Sequence, residues 1–146
     1  MASHLLDVNA LIALLWEDHQ FHETMAAWFT RHAKQGWSTC AITQSGFIRV
    51  MNHPALAKPG RTVAELAEAL KQNLMHPGHR LLALDFDFAE VLARCSGGVV
   101  GHRQVTDAYL LTAAIRADMK LLTFDSGLGT LLASDGERAA HIELLR

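Results

Sequence analysis

The stretch His4-Leu5-Leu6-Asp7-Val8-Asn9-Ala10-Leu11 changes character at its aspartate. Leu5 and Leu6 read as the end of a short strand that Asp7 stops, and Asn9 reads as the cap of a helix whose apolar run reaches Trp16. The same change recurs far down the chain. Leu121 to Phe124 reads as a strand followed directly by Asp125 (LLTFDSG), and Asp107 sits in the first turn of a helix over 105–117 (VTDAYLL), with Thr106 as its expected cap. Leu110, Leu111 and Ala114 fall on the same helix face as Asp107, so its carboxylate points towards the edge of the core. A carboxylate taken out of water has to be paired, hydrogen-bonded, metal-bound or protonated. Taken singly, Asp107 is a helix-start acid worth roughly 0.3–1 kcal/mol through the dipole, and Asp7 and Asp125 are turn formers. Brought together, the three make an all-oxygen site for a hard divalent cation, Mg²⁺ or Mn²⁺.

Working outward, a second helix is expected from Phe21 to about Ala33 with Met25, Trp28 and Phe29 on its buried face, broken by Gly36. Trp37 to Ile42 reads as the next strand, Thr43 as the cap of a helix through Phe47, Val50 and Met51, and His53-Pro54 as its stop. The loop 52–61 leads to a helix from Thr62, with Glu65 completing a capping box, that ends at Pro77-Gly78. Arg80 to Leu84 is a strand, Phe88 to Arg94 a helix, and His141 to Leu145 a last strand. Strands alternating with helices imply a three-layer α/β/α domain over residues 1–146, its central, mostly parallel sheet having four or five strands. Ligands in such sheets bind beyond the carboxyl ends of the strands, where Asp7 and Asp125 fall.

Composition narrows the field. Half of the 146 residues are hydrophobic and only 19% are charged, as in a compact globular chain. The longest apolar run, Ala10 to Trp16, is far short of the roughly 20 residues that span a bilayer. Met1-Ala2-Ser3-His4 has neither the basic flank nor the cleavage site of a signal peptide, so cytoplasmic residence is expected. Cys40 and Cys95 lie in apolar surroundings and read as buried free thiols. A formal charge of −2 does not advertise a nucleic-acid binder, but Arg49, Lys58, Arg61, Lys71 and Arg103 are candidates for a basic rim around an acidic centre.

Four segments, LLDVNALIAL, WSTCAITQSGFIRVMNHP, VTDAYLLTAAI and LLTFDSGL, resemble in order and separation the PIN-domain ribonucleases, specifically the VapC-type toxins of bacterial toxin–antitoxin pairs. The resemblance covers essentially the whole chain. It implies an acidic quartet that binds Mg²⁺ or Mn²⁺ and hydrolyses RNA, with Asp7, Asp107 and Asp125 in three of the places. Asn9 matches the asparagine of the first motif, expected to brace the Asp7 loop, and Thr106 and Ser126 are hydroxyls that orient carboxylates or water, or simply cap. Gln44 is the departure, because many members of this family carry glutamate there. One negative charge fewer favours one tightly held ion, with the Gln44 carbonyl a weak ligand or water holder. Metal-assisted attack of water in line with phosphorus, leaving a 5′-phosphate and a 3′-hydroxyl, is the mechanism implied. The same resemblance implies a VapB-type antitoxin whose C-terminal segment blocks the pocket, and a homodimer, with Trp16, Trp28 or Trp37 as contacts if they are exposed.

Other readings compete. A PIN domain lacking the glutamate can bind RNA or a partner without cutting. His19 and His22, or His76 and His79, have the spacing of a zinc pair but no cysteines or HExxH context. His102 lies near Asp107 in sequence, with a surface role or an RNA contact open to it. Asp85 and Asp87 resemble the DxD of haloacid-dehalogenase-type phosphatases, yet Phe88 and Ala89 stand where threonine or glycine belongs, so the pair reads as a strand end leading to a helix cap.

Overall fold

The computed structural model describes residues 3–56 and 61–146. Residues 57–60 of the expected loop, Lys58 among them, lie outside the described residues, as do residues 1 and 2. Five strands form one wholly parallel sheet: β1 (His4–Leu6), β2 (Trp37–Thr39), β3 (His79–Leu81), β4 (Lys120–Thr123) and β5 (Ile142–Leu144), in the order β3-β2-β1-β4-β5. The helices are α1 (Val8–Leu15), α2 (His22–His32), α3 (Ala41–Met51), α4 (Val63–Leu74), α5 (Phe88–Arg94), α6 (Val105–Arg116) and α7 (Asp135–His141).

Period-two alternation of the strands builds the three layers. Leu6 and Leu122 pack beneath α1 to α4 with Met25, Trp28, Trp37 and Phe47, while Leu5 and Leu121 face α5 and α6 with Val91, Leu110 and Leu111. With both faces covered, the central strands carry no exposed side, which is why their alternating pattern is lost in continuous apolar pairs. The chain leaves β1 towards β2 and β3, then returns to β4 on the other flank. The β1–β4 boundary is therefore the point where the winding reverses, and a crevice opens above the carboxyl ends of those two strands.

Several boundaries differ from expectation. Asp7, rather than Asn9, caps α1, its Oδ1 accepting from Val8 N at 2.7 Å, which leaves the Asn9 side chain free for longer-range contacts. Cys40 occupies the cap of α3, and Thr43 lies three residues in, its hydroxyl oxygen accepting from Cys40 N at 2.9 Å. Strand β2 thus ends at Thr39, because Cys40 already turns into the helix. Thr106 is the second residue of α6 instead of its cap, since a 3-10 turn (His102–Gln104) runs straight into the helix. Thr62 does cap α4, accepting from Glu65 N at 3.1 Å, but the Glu65 carboxylate takes the Thr62 hydroxyl rather than a backbone N–H. Helix α7 has no apolar stripe to announce it; its only sequence signal is Ser134, three residues before Glu137, whose N–H the Ser134 hydroxyl accepts at 3.2 Å.

Asp87 caps α5, and Asp85 pairs with Arg116 at 3.4 Å, so these two carboxylates have structural partners. The histidine pairs are likewise engaged: His22 Nδ1 lies 2.7 Å from Ala13 O, and His19 Nδ1 accepts from Phe21 N at 3.0 Å. His76 Nδ1 accepts from Gly78 N and Trp37 Nε1. Trp28 and Trp37 are fully buried, so neither is a surface contact, and Trp16 is half-buried. Cys40 and Cys95 are free and buried, and burial pushes the Cys95 thiol above its ordinary value. Among the described residues no helix is long and apolar enough to cross a membrane.

Candidate metal centre

The crevice above β1 and β4 receives an aspartate from each of three separated elements. Asp7 ends β1, Asp125 follows β4, and Asp107 stands in the first turn of α6. Asp7 is only 5% exposed, Asp107 is half-buried and Asp125 is exposed. The carboxylates lie within electrostatic reach of one another. Burial, followed by the charges of Asp7 and Asp125, pushes Asp107 up to about 6. Burial also raises Asp7, with the charge of Asp125 adding to it, while hydrogen bonds from Thr123 and Val8 work in the opposite direction.

Thr123, the last residue of β4, organises this end of the sheet, and no expectation from sequence singled it out. Its hydroxyl donates to Asp7 Oδ2 at 2.8 Å and its oxygen accepts from Asn9 Nδ2 at 3.2 Å and from Asp125 N at 3.0 Å. Asn9 Oδ1 in turn accepts from Phe124 N at 3.1 Å. Asn9 and Thr123 therefore clamp the Asp7 turn to the Asp125 turn across the β1–β4 boundary. A threonine closing an apolar strand directly before Phe124-Asp125 was the available signal in LLTFDSG. Asp125 Oδ1 accepts from Gly127 N at 2.9 Å, so this residue is a turn former as well as a member of the group. Thr106 and Ser126 are exposed beside Asp107 and Asp125.

Gln44 takes a different direction. Its Nε2 donates to Thr39 Oγ1 at 2.9 Å, and Thr39 Oγ1 lies 2.7 Å from His79 Nε2. Its side chain lines a cavity of about 490 Å³ between α3 and α4, together with Lys71. Among the described residues no hydrogen bond joins Gln44 to the three aspartates.

Whether this group suits a divalent cation turns on the donors. All are carboxylate oxygens, the donor set of Mg²⁺ and Mn²⁺. Each bonded oxygen of Asp7 accepts a single hydrogen bond and keeps a second lone pair, and the Asp107 carboxylate accepts none among the described residues. Among the described residues, no three His, Cys, Asp or Glu side chains stand close enough to enclose an ion by direct contact. Mg²⁺ ordinarily keeps several waters and binds through one or two carboxylates. Mutual repulsion among the three carboxylates, two of them partly desolvated, is what a cation relieves, so the residues present fit such an ion held partly through its hydration shell.

Comparison with known proteins bears on the family and the fold. The PIN-domain family model matches residues 4–131. The chain belongs to the PIN-domain family and, within it, to the VapC-type toxins. It is 42% identical over 127 residues to Ribonuclease VapC38 of Mycobacterium tuberculosis, covering 87% of this chain and 88% of that one. It is 36% identical over 141 residues to Ribonuclease VapC44 of the same species, covering 97% and 98%. Among solved structures, VapBC2 of Rickettsia felis bound to a DNA fragment from its promoter superposes with a TM-score of 0.67 at 11% identity, covering 98% of both chains. FitAcB of Neisseria gonorrhoeae superposes with a TM-score of 0.66 at 21% identity, covering 95% of both. At those identities the structural likeness speaks for the fold.

Proposed function

We propose that this chain, acting as one PIN domain, is a metal-dependent endoribonuclease, the toxin of a toxin–antitoxin pair. The observation that carries the reading is the meeting of Asp7, Asp107 and Asp125, from three separated elements, at the crevice where the sheet reverses its winding. Relatives called ribonucleases, at 36% and 42% identity over nearly the full chain, support it.

Asp7, Asp107 and Asp125 would hold Mg²⁺ or Mn²⁺, which when bound supplies a Lewis acid that lowers the pKa of a water and offsets charge on phosphoryl oxygens. The chain's own residues supply position. Thr123 and Asn9 hold Asp7 and Asp125 in one register, so little reorganisation is left to the moment of reaction. Asp107 has the least committed carboxylate of the three and is the one free to meet water or a cation at the mouth. Thr106 and Ser126 offer hydroxyls to a phosphate oxygen or an ordered water. Gln44, neutral and tied to Thr39, supplies no charge to the centre. Cleavage yields a 5′-phosphate and a 3′-hydroxyl. The resemblance of the fold to proteins crystallised as VapBC2 and FitAcB supports a cognate antitoxin, and a homodimeric toxin remains what the family resemblance implies.

A silent PIN domain that binds RNA or a partner is the second reading, favoured by the neutral amide at position 44 and by the open spacing of the acidic groups. One assay separates the two. Purified protein should cut RNA in Mn²⁺ or Mg²⁺, lose that activity in EDTA, regain it on metal addition and lack it as Asp7→Asn. Cutting that persists in EDTA removes the metal mechanism; cutting that survives Asp7→Asn belongs to a contaminant.

A further inference from the structure

We infer that Arg49, with Ser45, forms a phosphate subsite beside the acidic centre, gripping the backbone of single-stranded RNA one step away from the bond being cut. The inference rests on the ribonuclease reading above. Ser45 and Arg49 lie four residues apart and share a face of α3. Together with Val8 and Thr106 they line a cavity of about 300 Å³. Val8 directly follows Asp7 and Thr106 directly precedes Asp107, so this cavity lies on the acidic side of α3, while Ser45 also borders the α3–α4 groove that holds Lys71.

Packing fixes the helix that carries the arginine. Gly46 lies against Val8 so closely that an added Cβ would come within 2.6 Å of Val8 Cγ2. That contact seats α3 directly on α1 and turns the Ser45–Arg49 face towards α6. The Arg49 guanidinium is exposed and forms no hydrogen bond or ion pair among the described residues. Arg94, Arg116 and Arg138, by contrast, are each committed to a carboxylate.

Charge explains why such a group is needed. Three aspartates repel an incoming polyanion, and a cation bound there offsets only part of that. A guanidinium at the lip matches two non-bridging phosphate oxygens with parallel N–H donors, which a lysine cannot reproduce. The Ser45 hydroxyl, on the same face, can donate to a further oxygen. Contacts of this kind hold the strand without reading its bases, so Arg49 sets affinity and register while base selection lies elsewhere.

The test uses the full chain as Asp7→Asn, which binds without cutting, and a fluorescein-labelled single-stranded RNA of mixed sequence followed by anisotropy over a salt series in Mg²⁺. Adding Arg49→Ala should weaken binding roughly tenfold and make the log–log salt dependence shallower by about 0.7, the signature of one lost phosphate contact on a single strand. Arg49→Lys should keep the slope and recover part of the affinity. With Asp7 restored, Arg49→Ala should raise KM for RNA cleavage and leave kcat nearly unchanged, at an unaltered melting temperature. Arg31→Ala, an exposed arginine on α2, should match its parent throughout. Equal effects of Arg31→Ala and Arg49→Ala would reduce the result to general charge and overturn the subsite. Unchanged RNA binding by Arg49→Ala, including a case where only antitoxin affinity falls, would overturn it while leaving the ribonuclease reading intact. If the wild-type chain neither binds nor cuts RNA, both readings fall together.

Discussion

Thr123 shows how much one hydroxyl can organise. It satisfies Asp7, Asn9 and the Asp125 backbone at once, and both Thr123 and Asp7 are buried. Thr123→Val keeps the shape but strands an acidic oxygen, an amide and a backbone N–H. Urea unfolding should show a loss of roughly 1–3 kcal/mol, and cleavage should fall further than stability does, because the clamp between two aspartates is gone. Thr123→Ser should restore most of both. Gln44 tests the opposite case, a residue whose neutral head replaces an expected charge. With residue 44 turned towards Thr39, Gln44→Glu should leave the Mn²⁺ isotherm in titration calorimetry nearly unchanged; a tighter isotherm would bring residue 44 into the centre.

At the scale of elements, the close seating of α3 on α1 is the contact to probe. Gly46→Ala gains helix propensity of up to about 1 kcal/mol, yet its Cβ meets a short, stiff valine side chain at 2.6 Å. Overpacking should win, giving a net loss of about 1 kcal/mol by thermal or chemical denaturation. In a Val8→Ala background the same substitution should become neutral or stabilising, and a double-mutant cycle would show the reversal. Element boundaries were less legible than element types. Asn9, Thr43 and Thr106 all have the chemistry of helix caps, and none serves as one. At α1 and α3 the cap is the residue that keeps extended backbone dihedrals, Asp7 and Cys40, whereas Gln104 before α6 is already helical because a 3-10 turn runs into that helix.

For the whole molecule, β5 is held to the rest by a polar network on the face that also carries α2. His4 Nε2 and Trp28 Nε1 both reach the Glu143 carboxylate, at 2.7 and 2.9 Å, tying the first strand, the second helix and the last strand together. Burial pushes His4 below its ordinary 6.5. Burial would push Glu143 up, but its hydrogen bonds from His4 and Trp28, with the His4 charge, more than offset that and hold it below 4.5. In both groups the unfolded chain binds more protons than the folded one, so both contributions favour folding at higher pH and fade on acidification. The stabilisation from Glu143 is fully present above 4.5 and disappears as pH falls through its depressed folded value. Glu143→Gln should therefore cost about 1 kcal/mol near neutrality, the group being partly exposed, and the gap from wild type should close in acid. A gap independent of pH would mean that Glu143 stabilises as a neutral acceptor.

Sequence alone determined the alternation of strands and helices, the three aspartates and their resemblance to PIN-domain toxins. Those features are local: an apolar strand ending in an acid, or an acid in the first turn of a helix, is visible within a few residues. The strand order β3-β2-β1-β4-β5, the clamp of Asn9 on Thr123 and the cavity that brings Arg49 together with Val8 and Thr106 were decided only by the tertiary structure. The physical reason is sequence separation. Asn9 and Thr123 meet across 114 positions because the sheet reverses its winding between β1 and β4, and no local pattern encodes which strand lies next to which.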